Sequence, residues 1–175
     1  MSVSFKVDKK EGLEALREIR RPFEVALWHT ENSFNFGATI RTAHNFLASK
    51  IWGLDLQLDK LNPKKYPFYK RAAMTTLKWE KENIFCVSTK EFLDLNENRN
   101  IVVFERREQL NSQDIRSFVY PDNPILFFGS EKFGVPEGVM NAAHSIVSIP
   151  CDGFCLDLNI GVAAGIAMYD FVSKL

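Results

Sequence analysis

Three short stretches hold residues whose types and spacing suit chemistry. The first is Asn35-Phe-Gly-Ala-Thr-Ile-Arg41-Thr-Ala. Its asparagine stands where a helix N-cap belongs, and Gly37 lets another backbone or a ligand come close. Arg41 lies beside an apolar stripe, and two readings stand: a surface arginine on a capped helix, or a bidentate grip on a phosphate. The second stretch is Phe128-Gly-Ser-Glu131-Lys-Phe-Gly134-Val-Pro136, in which two glycines and a proline shape a tight loop around one carboxylate. It has neither the glycine pattern of a Rossmann dinucleotide site nor that of a P-loop, so both are disfavoured. A plain turn and a ligand-binding loop remain. The third runs Ile149-Pro-Cys-Asp-Gly153-Phe-Cys-Leu-Asp157-Leu-Asn159-Ile-Gly161 and leads into a final helix whose first turns are small residues. Small residues let another segment lie against the helix backbone.

Loops of this kind need a frame. Apolar runs at Phe23–Trp28, Ile51–Leu54, Ile84–Val87, Ile101–Phe104, Ile125–Phe128 and Ser145–Ile149 read as strands, several of them apolar on both faces. Amphipathic segments lie between them. Phe36, Ile40, Ala43 and Leu47 share one helical stripe, and Leu158, Val162, Ile166, Tyr169 and Val172 share another. Ser88 to Glu91 has the form of a capping box, and Pro136-Glu137 suits a first helical turn. The alternation predicts an α/β fold with a mainly parallel sheet and helices on both faces. An extra helix, about Gly12 to Arg21, precedes the first strand. The three stretches then fall on loops at the carboxyl ends of strands, where such sheets place their sites.

Composition narrows the partners. The 175 residues are 46% apolar and 13% aromatic, which excludes disordered and fibrous classes. Lys+Arg 22 against Asp+Glu 22 gives zero formal charge, so any nucleic acid must be met by local basic patches. The segment Lys64-Lys-Tyr-Pro-Phe-Tyr-Lys70-Arg71 mixes basic and aromatic residues, as contact with RNA backbone and unstacked bases requires, or as a solvated helix start would. Lys9, Lys10, Arg17, Arg20, Arg21, Arg106 and Arg107 are further basic points. Three cysteines are too few for a disulfide scaffold. Cys151 and Cys155 lack a second ligand pair, so no metal is expected. His29, His44 and His144 read as ordinary polar positions. With neither a signal-peptide pattern nor a run of about 20 apolar residues, the expectation is a soluble, cytoplasmic, single domain over 1–175, its first 21 residues a helical extension.

Taken in order, the three stretches resemble the SpoU family of RNA ribose 2′-O-methyltransferases, within the SPOUT superfamily. The family's N-x-G-x-x-x-R-T-A is matched by Asn35, Gly37, Arg41, Thr42 and Ala43. Its G-x-E-x-x-G-hydrophobic-P is matched by Gly129, Glu131, Gly134, Val135 and Pro136. A strand ending Ile149-Pro150 follows at the family's spacing. The third motif, S-L-N-V-S, is matched in part by Asp157, Leu158, Asn159, Ile160 and Gly161. The resemblance implies a parallel α/β sheet with a C-terminal deep trefoil knot, which hydrophobic patterning alone does not reveal. It implies S-adenosylmethionine held at Gly129, Glu131, Gly134, Ile149, Pro150, Leu158 and Asn159, with Phe104 and Glu105 after the fourth strand as further contacts. It implies a homodimer in which Arg41 serves a composite active site at the subunit interface, close to Asn35 and Glu131. The small size fits tRNA better than rRNA as the RNA partner.

The chemistry agrees with these residue types. A ribose hydroxyl must lose its proton as it attacks the sulfonium methyl. Arginine, with a pKa above about 12, is a poor base, so Arg41 serves to position the nucleotide and to offset charge near the reacting oxygen. Glu131 orients Asn35 and Arg41 by hydrogen bonds, and no metal is required. Two departures bear on catalysis. The family's serines are here Asp157 and Gly161, and a carboxylate at 157 either accepts the 2′-OH proton or repels the substrate phosphate. Asp157 and Asn159 therefore join Arg41, Asn35 and Glu131 as catalytic candidates. The reading is an RNA 2′-O-methyltransferase; its alternatives are a non-catalytic RNA-binding homologue and a methyltransferase with another acceptor atom.

Overall fold

Strands that are apolar on both faces must be covered on both. The computed structural model describes residues 9–30, 32–56, 66–106, 111–154 and 157–175, and among them this requirement is met. Helix α1 (Lys9–Glu18) leads into β1 (Arg21–Trp28), α2 (Ser33–Asn45) and β2 (Ala48–Leu54). Helices α3 (Tyr66–Ala73) and α4 (Thr76–Glu80) precede β3 (Ile84–Val87), α5 (Thr89–Leu95), β4 (Ile101–Phe104) and β5 (Gln113–Asp114). The chain ends with β6 (Ile125–Phe128), α6 (Glu137–Ala142), β7 (Ser145–Ser148) and α7 (Ile160–Ser173). All strand pairs are parallel, in the order β3-β2-β1-β6-β4-β7-β5. The order reverses direction beside β1, so the loops after β1, β4, β6 and β7 emerge along one edge of the sheet.

The period-two alternation of side chains sorts the core into two layers. Val25, Leu27, Val102, Phe104, Leu126 and Phe128 face α2 and α7, where Phe36, Ile40, Ala43, Ala164 and Met168 meet them. Ala26, Ile101, Val103, Ile125 and Phe127 face the opposite side, against Phe92 of α5 and Val139 of α6. Burial of each large side chain here contributes about 1.5–3 kcal/mol. A buried charge cluster ties the first helices to the sheet. Arg20 donates to both oxygens of Glu80, at 2.8 and 2.9 Å, and His44 Nδ1 lies 2.6 Å from the same carboxylate. Burial pushes the Glu80 carboxyl up. The His44 and Arg20 hydrogen bonds, the Arg20 charge and Asn83 outweigh it and hold the group below the ordinary range.

Several expectations are corrected. The edge strand β5 is two polar residues long and carries no apolar signal. Helix α1 starts and ends three residues before its expected bounds. Pro136 is the N-cap of α6 rather than a residue of its first turn. In α7 the expected stripe is largely the outward one: Val162 is 52% exposed, Ile166 37% and Tyr169 65%, while Val172 packs partly against the core. The buried face carries Ile160, Ala164, Ala167, Met168 and Phe171 instead. The helix is apolar nearly all round, and its alanines, which allow close approach, select the face that packs. Ser88 does cap α5, its Oγ accepting from the Glu91 N–H at 3.2 Å. Among the described residues no helix is long and apolar enough to cross a membrane.

Candidate functional site

The N-cap of α2 is Asn32, whose Oδ1 accepts from the Phe34 N–H at 3.0 Å, and not Asn35. Asn35 therefore sits one turn inside the helix, 4% exposed, with its amide free for partners elsewhere. Its Nδ2 donates to Glu131 Oε1 at 2.6 Å, and its Oδ1 accepts from Asn159 Nδ2 at 3.1 Å. Asn159 in turn caps α7, its Oδ1 accepting from the Gly161 and Val162 N–H groups at 3.0 and 3.4 Å. The polarity of this line follows from its ends. A carboxylate only accepts, so the Asn35 amide nitrogen must face it; each oxygen is then left for the next donor. One residue from each of the three stretches is joined in a single hydrogen-bonded row.

The loop after β6 is shaped by its glycines. Ser130 and Gly134 exchange two backbone hydrogen bonds of 2.9 Å, so the chain folds back on itself within five residues. A Cβ on Gly129 would run into the Gly134 carbonyl, and Gly134 itself has φ 67°, in the left-handed region. This is why the stretch needs glycine at both places. Beside the loop, at the carboxyl ends of β4, β6 and β7, lies an open cavity of about 390 Å³. Phe104 and Phe128, stacked at 4.9 Å with an interplanar angle of 14°, line it on the sheet side. Arg106 Nη1 donates to the Cys151 carbonyl at 3.1 Å across one flank.

Of the residues expected around a cofactor, Phe104, Glu105, Gly129, Glu131, Gly134, Ile149 and Leu158 line this cavity, together with Asp157. Pro150 is exposed and does not line it, and Asn159 stands behind it as the α7 cap. Arg106, Ser130, Lys132, Phe133, Val147, Cys151, Ile160 and Ala163 also line it, beyond the residues expected from the motifs. Most adjoin a motif residue in the sequence, and that adjacency is the signal for them. Arg41 does not join Asn35 and Glu131 within one chain. Six residues beyond Asn35, about 9 Å along the helix and on another face, it is exposed and does not line the cavity. Among the described residues its guanidinium donates to Met74 Sδ at 3.2 Å; Glu131 orients Asn35 but not Arg41. His44 belongs to the buried Glu80 cluster, and the His29 ring contacts those of Trp28 and Phe133. Among the described residues no group of three His, Cys, Asp or Glu side chains could hold a metal ion. Lys64, Lys65, Arg107 and Cys155 lie outside the described residues.

The sequence model of the SpoU rRNA methylase family matches residues 22–169. The chain belongs to this family. The tRNA (guanosine(18)-2′-O)-methyltransferase of Thermus thermophilus is 25% identical over 158 residues, which cover 90% of this chain and 77% of that protein. The AdoMet-bound rRNA methyltransferase from Sinorhizobium meliloti superimposes with a TM-score of 0.75 at 25% identity, over 91% of this chain and 60% of that one. The chain thus spans less than two thirds of that neighbour. The TrmH/SpoU tRNA modifying enzyme of A. aeolicus has the same fold, with a TM-score of 0.74 at 22% identity, over 95% of this chain and 83% of that one.

Proposed function

We propose that this chain transfers a methyl group from S-adenosylmethionine to a ribose 2′-hydroxyl of RNA, with tRNA as the substrate class. Family membership supports the reaction, and the row Glu131–Asn35–Asn159 beside the cavity is the observation that carries the site. The cofactor fits the cavity by size and chemistry. Small-molecule sites run from about 300 to 1,000 Å³, and this one offers the apolar Phe104, Phe128, Val147 and Ile149 to a purine. Glu105, Glu131 and Asp157 lie on the same walls and suit a sulfonium and an ammonium. When bound, S-adenosylmethionine supplies the electrophilic methyl. The chain's residues do the rest: Gly129 and Gly134 hold the loop against the cofactor, and Asn35 fixes the orientation of the Glu131 carboxylate. Asp157 takes the 2′-OH proton in place of the family's serine.

The reading extends to a homodimer in the cytoplasm, each chain a single domain with α1 as an extension and the C-terminal segment knotted in the family's manner. Two features support the dimer. Arg41 lies outside its own chain's cavity, and the neighbouring outward face of α7 leaves Val162, Ile166 and Tyr169 in water. A second copy that covers this face brings each Arg41 to the other subunit's site, where its fork grips the substrate phosphate. The test is transfer of labelled methyl from S-adenosylmethionine to tRNA and to rRNA from cells lacking the protein, followed by nucleoside mass spectrometry. A 2′-O-methyl nucleoside in tRNA is expected, lost in Arg41→Ala and in Asp157→Asn. A methylated base, or no transfer to any RNA, refutes the reading.

A further inference from the structure

We propose that Phe133, backed by His29 and flanked by Lys132, is a stacking platform for an unpaired nucleobase of the RNA substrate next to the reacting ribose. The inference rests on the RNA methyltransferase reading and adds the place where the substrate's base is held. The Ser130–Gly134 rung holds residues 131–133 at the tip of a rigid turn. Glu131 turns inward to Asn35, which leaves Lys132 and Phe133 on the cavity rim. Phe133 is 53% exposed, an arrangement that core packing does not account for. It is nonetheless held in place. The His29 ring meets it edge-on, with centroids 5.6 Å apart at 64°, and Trp28 lies 5.4 Å behind His29. The Trp28 Nε1 is anchored on Asp55 Oδ2 at 2.9 Å. His29 itself adopts φ 46°, uncommon for a residue with a Cβ, and its N–H is fixed on the Leu54 carbonyl at 2.9 Å. Three rings therefore run in a column from the end of β1 to the loop tip.

Such a column suits a nucleobase better than a protein side chain or a lipid. The Lys132 ammonium lies over the Phe133 ring, 5.1 Å from its centroid, so a base that stacks on that face displaces the flexible lysine and keeps the cation within reach of its phosphate. Every base has a π-face, and single-stranded RNA is held in this manner by aromatic side chains. A chain of zero net charge has little bulk attraction for RNA, which makes a stacking contact the more useful. The one competing occupant is the purine of the cofactor, because Phe133 also lines the cavity.

Kinetics on Phe133→Ala, Phe133→Leu and Phe133→Trp decide the matter, with tRNA from cells lacking the protein as the RNA and S-adenosylhomocysteine titrated by calorimetry. Stacking predicts a KM for RNA about tenfold higher in Phe133→Ala, with a smaller effect on kcat and cofactor affinity within twofold of wild type. Phe133→Trp is expected to keep the wild-type KM and Phe133→Leu, equally apolar but not planar, to lose it. An unchanged KM in Phe133→Ala, or a leucine as good as tryptophan, overturns the proposal. So does a loss of cofactor affinity without a change in KM, which assigns the ring to the cofactor. A wild type that binds S-adenosylhomocysteine yet methylates no RNA overturns the parent reading first, and this one with it.

Discussion

Replacing Asn35 with alanine removes the centre of the row that joins the three motifs. The wild-type amide donates at 2.6 Å to a carboxylate and accepts at 3.1 Å from Asn159. A hydrogen bond to a charged group contributes about 1.5–3 kcal/mol and a neutral one about 0.5–1.5 kcal/mol. Glu131 is exposed and recovers hydration when its partner is lost, which puts the first value at its lower end. Asn35→Ala is therefore expected to cost roughly 2–3 kcal/mol, a fall in Tm of about 4–12 °C for a chain of this size. Glu131→Gln is the control, because its amide oxygen still accepts from Asn35. It should cost under about 1 kcal/mol. Urea unfolding followed by circular dichroism gives both values, and calorimetry with S-adenosylhomocysteine should show weaker binding by Asn35→Ala. An Asn35→Ala protein within about 0.5 kcal/mol of wild type, or a Glu131→Gln protein that is equally damaged, would refute the argument that the amide geometry organises the site.

Gly129→Ala should abolish cofactor binding in calorimetry, because the added Cβ meets the Gly134 carbonyl and must open the Ser130–Gly134 rung; retained affinity would mean that the loop yields easily. Glu80→Ala leaves Arg20 buried without its anion and should destabilise by about 3–5 kcal/mol in urea unfolding. The same carboxyl gives a pH signature. Its folded value lies below the unfolded one near 4.5, so its stabilisation is fully present above that pH and is lost as pH falls through the depressed value. Glu80→Gln should remove this acid-side slope, and an unchanged slope would assign it elsewhere. Val162→Glu, on the outward face of α7, should convert a particle of about twice 20.1 kDa into a single chain in light scattering; a wild type that is already monomeric counts against the composite site.

The α/β class and the places of most strands were legible because a short run such as Ile101–Phe104 or Ile125–Phe128 is apolar at every position. Only a strand covered on both sides tolerates that. The two-residue β5 pairs at an edge through its backbone, and no apolar pattern announces such a pairing. The motifs were legible for a similar local reason. Gly129 and Gly134 are required by the turn they form, and the requirement is met within six consecutive residues.

What lay beyond the sequence were choices made by distant neighbours. Asn35 reads from the sequence as the cap of α2, yet Asn32 is the cap and the Asn35 side chain is taken by Glu131 and Asn159. These lie 96 and 124 residues along the chain and claim the Asn35 amide for themselves. Which face of α7 packs on the sheet also lay beyond the pattern, because periodicity groups apolar residues by face and does not report what covers them. A core and a subunit interface produce the same pattern. Arg41 shares a motif with Asn35, yet six helical residues carry it to another face, out of reach of the carboxylate expected to orient it. Residue types and their order therefore determined the family and the kind of chemistry. Which groups touch was decided by the side-by-side order of β1, β6, β4 and β7 in the sheet, since hydrogen bonds act over about 3 Å and sequence spacing carries no such distance between separate elements.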